Sequence, residues 1–187
     1  MPTADTATRI LDHAERLLQT RGYNGFAYKD IAVEIGIRNA SIHFHFPTKA
    51  DLGLALAQRY HQRFRGAVAE LVGPAPTQLQ AFAALFERTA AAEDRLCLCG
   101  MLAAEASTLP PAVAAEVRAF FDWCRAWLAA TIAAGAADGT LAPRAAPEQC
   151  ADALLAALEG GMLLARGQAD PQHYPTLTRT VLTALTG

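Results

Sequence analysis

The sequence predicts an all-α protein of about nine helices. Three observations predict it. Apolar residues recur three and four positions apart in every long segment, the spacing of one helix face. Glycine and proline fall at intervals of a helix length, where helices stop and start. Alanine, the best helix former, crowds the second half. No segment alternates apolar and polar residues as a half-buried strand does.

Each helix has its own reason. Ile10, Leu11, Ala14, Leu17 and Leu18 share a face, and Gly22 is a natural stop. Ile31, Ala32 and Ile35 make a short second helix ended by Gly36, which tolerates a backbone conformation that a β-carbon resists. Ile42 and Phe46 bracket a third, ended by Pro47. Thr48-x-x-Asp51 has the form of a capping box, each side chain reaching a backbone N–H at the helix start. Leu52, Leu56, Tyr60, Phe64, Val68 and Leu71 then line a long fourth helix, broken at Gly73-Pro74-Ala75-Pro76. A fifth helix is expected over residues 79–92, a sixth over 97–107, a seventh over 111–134, an eighth over 147–167 and a ninth over 171–185. The stretch 135–147, rich in Gly and Pro, is expected to be a loop.

Composition limits the function. Hydrophobic residues make up 52% of the chain, enough for a large core, yet no run approaches the roughly 18 apolar residues of a membrane span. The N-terminus lacks a basic-then-apolar leader pattern, so a cytoplasmic protein is expected, with no membrane partner. The net charge of −2 does not by itself suit a nucleic-acid binder. Its distribution does. Residues 1–65 hold nine of the 16 Lys/Arg and six of the 18 Asp/Glu, so the front is positive and the remainder acidic. Both lysines, Lys29 and Lys49, flank the stretch from Asp30 to Phe46. The four cysteines (Cys97, Cys99, Cys124, Cys150) form no Cys-x-x-Cys pair and read as reduced thiols.

Two short helices joined by a glycine turn are a helix-turn-helix. Ile31, Ile35, Ile37, Ile42 and Phe46 are expected to pack inward and fix the crossing angle. The second helix then presents Arg38, Asn39, Ala40, Ser41, His43, Phe44 and His45 outward. Small, polar and flat groups of this kind suit the major groove of DNA: Ala40 permits close approach, Asn39 and Ser41 can bond base edges or phosphates, and the rings can touch sugars and thymine methyls. Lys49, in the first turn of the fourth helix, is expected to clamp a phosphate with the help of the helix N-terminus. Lys29 is expected to hold another.

With Ile31-Ala32, Gly36-Ile37, Ser41 to Phe46 and Pro47-Thr48-Lys49 in view, the chain resembles TetR-family transcriptional repressors over residues 9–65. Arg38 stands where the family often has a capping Ser, Ala40 where Gly is common, and His43-Phe44 where Tyr is common. The resemblance implies residues 1–48 as a three-helix DNA-binding head and residues 49–187 as a ligand-binding and dimerisation domain. It also implies a homodimer on double-stranded operator DNA, built by the last two helices of each subunit. Here those helices offer Ala153, Leu154, Ala157, Leu158 and Gly161 with Val181, Leu182 and Leu185. It further implies a small-molecule effector among helices five to eight, whose binding moves the heads apart. The candidates on the first of these helices are Leu85 and Phe86, followed by Cys97 and Met101. Phe120, Trp123, Cys124 and Trp127 come from the seventh helix and Leu158 and Met162 from the eighth. Few charges accompany these residues, so an apolar or aromatic effector is expected. Cys97 aligns with a cysteine that some family members use to sense electrophiles, and a thiol at a helix start beside Arg95 suits a nucleophile.

An enzyme is not expected. His13, His43, His45 and His61 all lie within residues 1–65, where DNA binding is expected, and no Gly-rich phosphate loop or Ser-His-Asp order stands out. No cofactor or metal site is expected either: Cys97 and Cys99 point to opposite faces of a helix, and His173 alone lies beyond residue 65. A ligand-binding protein that has lost DNA binding is countered by the retention of Lys29 and Lys49.

Overall fold

The structure, a computed structural model, describes residues 4–92 and 95–186. Nine α-helices run through these residues: α1 (Ala4–Arg21), α2 (Tyr28–Ile35), α3 (Asn39–His45), α4 (Lys49–Ala69), α5 (Ala75–Ala90), α6 (Leu98–Ala104), α7 (Pro111–Asp138), α8 (Pro147–Gly167) and α9 (His173–Thr186). A single 3-10 turn, Ala106–Thr108, follows α6. Among the described residues there is no strand, and no helix is long and apolar enough to cross a membrane.

The helices gather into two compact units. The first holds the chain up to Phe64 together with Leu98–Ala119, and the second holds Arg65–Cys97 and the chain from Phe120 onward. Packing therefore links the start of α4 to the helices before it. The physical reason lies in α4: Leu52 and Leu56 are fully buried in the same core as Ile10, Leu17, Leu18, Ile31 and Ile42. Ile35 and Ile37, expected inside that core, are only half-buried, because α2 ends beside them.

The second unit is built around Leu79, Phe82 and Phe86 of α5, Cys124, Leu128 and Ile132 of α7, Leu154 and Leu158 of α8, and Tyr174 of α9. Two boundaries lie four residues from expectation. Helix α5 begins at Ala75, with Pro74 as its cap and Pro76 in its first turn. A first-turn proline has no N–H to lose, so the proline-rich stretch starts this helix rather than delaying it. Helix α7 runs through Gly135 to Asp138, and Gly139, at φ 77°, ends it. Gly135 is inside the helix because the Leu141 side chain would lie 2.6 Å, and the Ala75 Cβ 2.7 Å, from any β-carbon there.

The same close approach corrects the expected dimer face. Leu154, Leu158 and Gly161 are buried within the protomer. A β-carbon at Gly161 would stand 2.8 Å from Leu177 and 2.9 Å from the Tyr174 ring, so this glycine lets α9 lie against α8. Ala153 is exposed, and Ala157, Val181 and Leu182 are half-buried. The Leu185 side chain lies outside the described residues.

Gly161→Ala should therefore push α8 and α9 apart. The cost of overpacking is about 1–3 kcal/mol and exceeds the gain in helix propensity, so thermal melting should fall by several degrees. Gly66→Ala, where a β-carbon meets nothing, should instead raise it slightly.

Candidate nucleic-acid interface

Helix α2 is held at both ends. The Ala27 N–H donates to the Asp30 carboxylate at 2.7 Å. At the other end Gly36 takes the left-handed conformation (φ 68°, ψ 38°), and the Ile37 N–H bonds the Ala32 carbonyl at 3.0 Å. Arg9 of α1 donates to the Ile35 carbonyl at 2.8 Å, placing a cation at the negative helix end. Glu34 accepts from Arg16 and lies 2.7 Å from His13, so α1 is joined to the outer side of α2 as well.

Helix α3 has only seven residues, and its cap residue, Arg38, supplies no side-chain hydrogen bond. Its anchor is Ile42, which is fully buried, with Phe46 behind it. Tyr28 completes the anchor: its hydroxyl lies 2.8 Å from the Phe46 carbonyl oxygen and 2.6 Å from that of Thr48. Burial, then Asp51 and Tyr23, push this phenol up to about 12, so it stays a proton donor.

Arg38, Asn39, Ala40, His43 and Phe44 are exposed on the outward side, with Ser41 half-buried. Phe44 is 69% exposed, an unusual position for a large apolar ring unless something covers it. The rings of His43 and Tyr28 lie 4.8 Å apart, and His43 Nδ1 lies 3.1 Å from the Pro47 carbonyl oxygen. With Nδ1 as donor, Nε2 is left as the ring's acceptor. His45 departs from the outward role expected of it. It is half-buried between the rings of Phe44 and Phe46, and its Nε2 is shielded from solvent.

Lys49 also departs from expectation. Its ammonium donates to the Phe26 carbonyl at 2.5 Å and lies 4.6 Å and 5.0 Å from the ring centroids of Phe26 and Tyr23. Burial lowers its pKa, against the opposing pull of Glu105 and Asp30. A carbonyl and two ring faces already satisfy this cation, so it braces the head from within. The N-terminus of α4 is occupied as well. The capping box forms as the sequence predicts: Thr48 N–H and hydroxyl bond Asp51 at 2.9 and 2.7 Å, and the Asp51 N–H lies 3.2 Å from the Thr48 hydroxyl. The Asp51 carboxylate stands where a phosphate was expected. Lys29, in the first turn of α2, and Arg38, at the start of α3, are exposed cations.

Sequence reasoning missed Glu105. Its carboxylate accepts from the Asn24 backbone N–H at 2.9 Å and from the Asn24 side-chain amide. The space for it exists because residue 22 is glycine: a β-carbon there would lie 2.1 Å from Glu105 Oε1. The partners are 81 residues apart, beyond the reach of any local pattern.

In the second unit, Leu85, Phe86, Cys97, Phe120, Cys124, Leu158 and Met162 are buried, and Trp123 and Trp127 half-buried. Trp127 stacks on Phe82 at 5.0 Å. Met101 belongs to the first unit. A cavity of about 300 Å³ is lined by Leu96, Met162 and Tyr174 with Arg95 and Arg166 near them; of the ligand residues expected from sequence, it takes in Met162 alone. Cys97 is 1% exposed and lies just before α6. Its thiol bonds the carboxyl of Glu159, which places an acid beside it. Burial pushes Glu159 up to about 7, with the Cys97 bond opposing. Burial, then Glu159, push Cys124 and Tyr174 up as well.

Residues 10–56 match the family described as "Bacterial regulatory proteins, tetR family", and residues 75–181 match "Tetracyclin repressor-like, C-terminal domain". The chain is similar to the HTH-type transcriptional repressor DhaR of Mycobacterium sp. (strain GP1), at 24% identity over 94% of this chain and 90% of that protein. It is also similar to a TetR-family regulator from Agrobacterium tumefaciens, with 37% identity, a TM-score of 0.92 and 97% of each chain covered. A TetR regulator from Legionella pneumophila shares 30% identity with a TM-score of 0.87, over 99% of this chain and all of that one.

The Glu159 carboxyl binds its proton near 7 in the folded chain and near 4.5 when unfolded. Between those values the folded state holds more protons, so stability falls as pH rises and the full penalty applies above about 7. Glu159→Gln should raise the melting temperature at pH 8 by roughly 4–8 °C, from about 2 kcal/mol, and the gain should vanish by pH 4. Equal gains at both pH values would contradict this account of the acid.

Proposed function

The chain belongs to the TetR family of bacterial regulatory proteins, and we propose that it is a repressor released from its operator by a small molecule. It is a DNA-binding transcriptional regulator with a helix-turn-helix, not an enzyme. Regulators of this family bind operator DNA and dimerise. The observation that carries the reading is α3. A buried Ile42 and a bonded Tyr28 hold it from behind, while Asn39, Ala40, Phe44 and the outer edge of His43 face away from the head. A helix fits the major groove of B-form DNA, and these side chains reach base edges and thymine methyls.

In this reading Lys29 and Arg38 hold phosphates, and residues 1–48 do the reading of DNA. Residues 49–187 bind the effector and the second subunit. On α8 and α9 the faces left open by the protomer carry Ala153, Ala157, Val181 and Leu182, with Leu163 and Leu164 more than half exposed. These supply the dimer contact in place of the buried Leu154, Leu158 and Gly161. Binding operator DNA puts the site of action in the cytoplasm. The effector is small and largely apolar or aromatic, in keeping with the core of the second unit. The burial of Cys97 beside an acid favours reversible binding over attack on an electrophile.

A promoter fragment from upstream of its own gene tests this by fluorescence anisotropy across salt concentrations. Lys29→Ala and Arg38→Ala should weaken binding on all sequences, each lowering the salt slope by about 1. Phe44→Ala and Asn39→Ala should flatten the preference for operator over random DNA. Lys49→Ala should lower the melting temperature while leaving the slope alone. Failure to retard any upstream fragment at low salt would sink the proposal. For the dimer, Leu164→Asp should yield monomers in sedimentation and weaken operator binding.

A further inference from the structure

We propose that Glu159 selects the effector, which carries an amine or another hydrogen-bond donor on an apolar body. This deepens the reading of the second unit as effector-binding and rests on it. Glu159 belongs to α8, and its Oε1 is shielded from solvent with no hydrogen-bond partner. Among the described residues no ion pair reaches it. The donors around it are spent or weak. The Tyr174 hydroxyl, its electrostatic neighbour, donates instead to the Leu158 carbonyl at 2.9 Å. Two thiols also lie near it, Cys97, which bonds the carboxyl, and Cys124. A thiol is a poor donor, so the acceptor capacity of a carboxylate is largely unused.

An unsatisfied buried acceptor is costly, and a ligand that donates to it recovers that cost. The cavity brings a ligand near. Tyr174 and Met162 form part of its wall, and Glu159 stands one helical turn before Met162 on the same helix. Met162 is unbranched and flexible, the kind of side chain that moves aside at low cost. The cavity volume of about 300 Å³ suits a ligand with one ring and a short chain. Its apolar part would fill the cavity, and an ammonium would pair with the carboxylate away from water, where charge pairing is strong. Burial holds the carboxyl near 7, so at pH 8 the ionised acid is present and unpaired until such a cation arrives. Arg95 and Arg166 line the same cavity, so an anion is the rival occupant.

Three probes of one shape separate these cases: 4-phenylbutylamine, 4-phenylbutan-1-ol and 4-phenylbutyrate, each added to the full chain at pH 8. Thermal shift should rank the amine first and the alcohol second, with no shift from the carboxylate. In Glu159→Gln, checked for native folding by near-ultraviolet circular dichroism, the amine should lose about tenfold in affinity and fall level with the alcohol. Best stabilisation by the carboxylate would assign the cavity to the arginines and overturn the proposal. So would equal affinity of the amine for both proteins, or no shift from any amine across a series from one ring to three. Operator binding without a probe is read in parallel. Its failure would strike the repressor reading and leave the ranking of probes intact.

Discussion

A helix of seven residues does not hold itself together in water. Nucleating one costs more than so few backbone hydrogen bonds return. Helix α3 exists because the first unit holds it: Ile42 is sealed in the core, and the Tyr28 hydroxyl takes the carbonyl oxygens of Phe46 and Thr48 just beyond its end. Everything a DNA reader needs follows from that restraint. The backbone is fixed from behind, so the outward side chains are free of structural duty. This is why Phe44 can stand exposed in a protein whose other aromatic rings mostly pack, and why Arg38 is tolerated where a capping side chain would otherwise help.

The same economy explains the charges. Lys49 looks like a phosphate ligand in sequence, yet its ammonium is held by the Phe26 carbonyl and two rings. Glu105 supports the same turn from the other side through Asn24. A brace of this kind suits a head that must meet DNA as a rigid body, since a recognition helix that shifts loses its register on the bases. Lys29 and Arg38, by contrast, are both exposed. The overall charge of −2 is no obstacle, because the acids are concentrated in the residues that follow the head.

What was legible in the sequence was local. The glycine turn, the capping box at Thr48 and Asp51, and the order of nine helices each depend on residues a few positions apart, and each stands in the structure as read. What was not legible depends on residues far apart in the chain. Nothing near Lys49 says that Phe26 and Tyr23 enclose it. Nothing near Gly135 says that Leu141 and Ala75 press against it and let α7 continue. Leu154 and Leu158 have the spacing of an interface and also that of a core. Their burial within the protomer, with α9 pressed close to α8 at Gly161, shows that they are core. A pocket is the hardest feature to read, because a row of aromatic residues at helical spacing describes a packed interior as well as a ligand site.

Glu159 resists explanation as a structural residue. A stability-driven choice for a shielded α8 position beside Leu158 and Met162 would be leucine or glutamine, which bring no charge to bury. Compare Glu105, another acid drawn into the fold: its carboxylate is met by two nitrogens of Asn24 and so contributes to the head it supports. Glu159 receives a thiol and leaves an oxygen unmet. Places where a sequence departs from good packing without a compensating contact are the places where function, not stability, decides the residue. A compound that supplied the missing donor would bind the folded second unit and not the unfolded chain, so its binding energy would add to stability. It alters operator affinity only to the extent that it binds the DNA-bound and DNA-free forms unequally. An acid that is costly when unpaired and favourable when paired is well suited to create that inequality, because its pairing is sensitive to how closely α7 and α8 surround it.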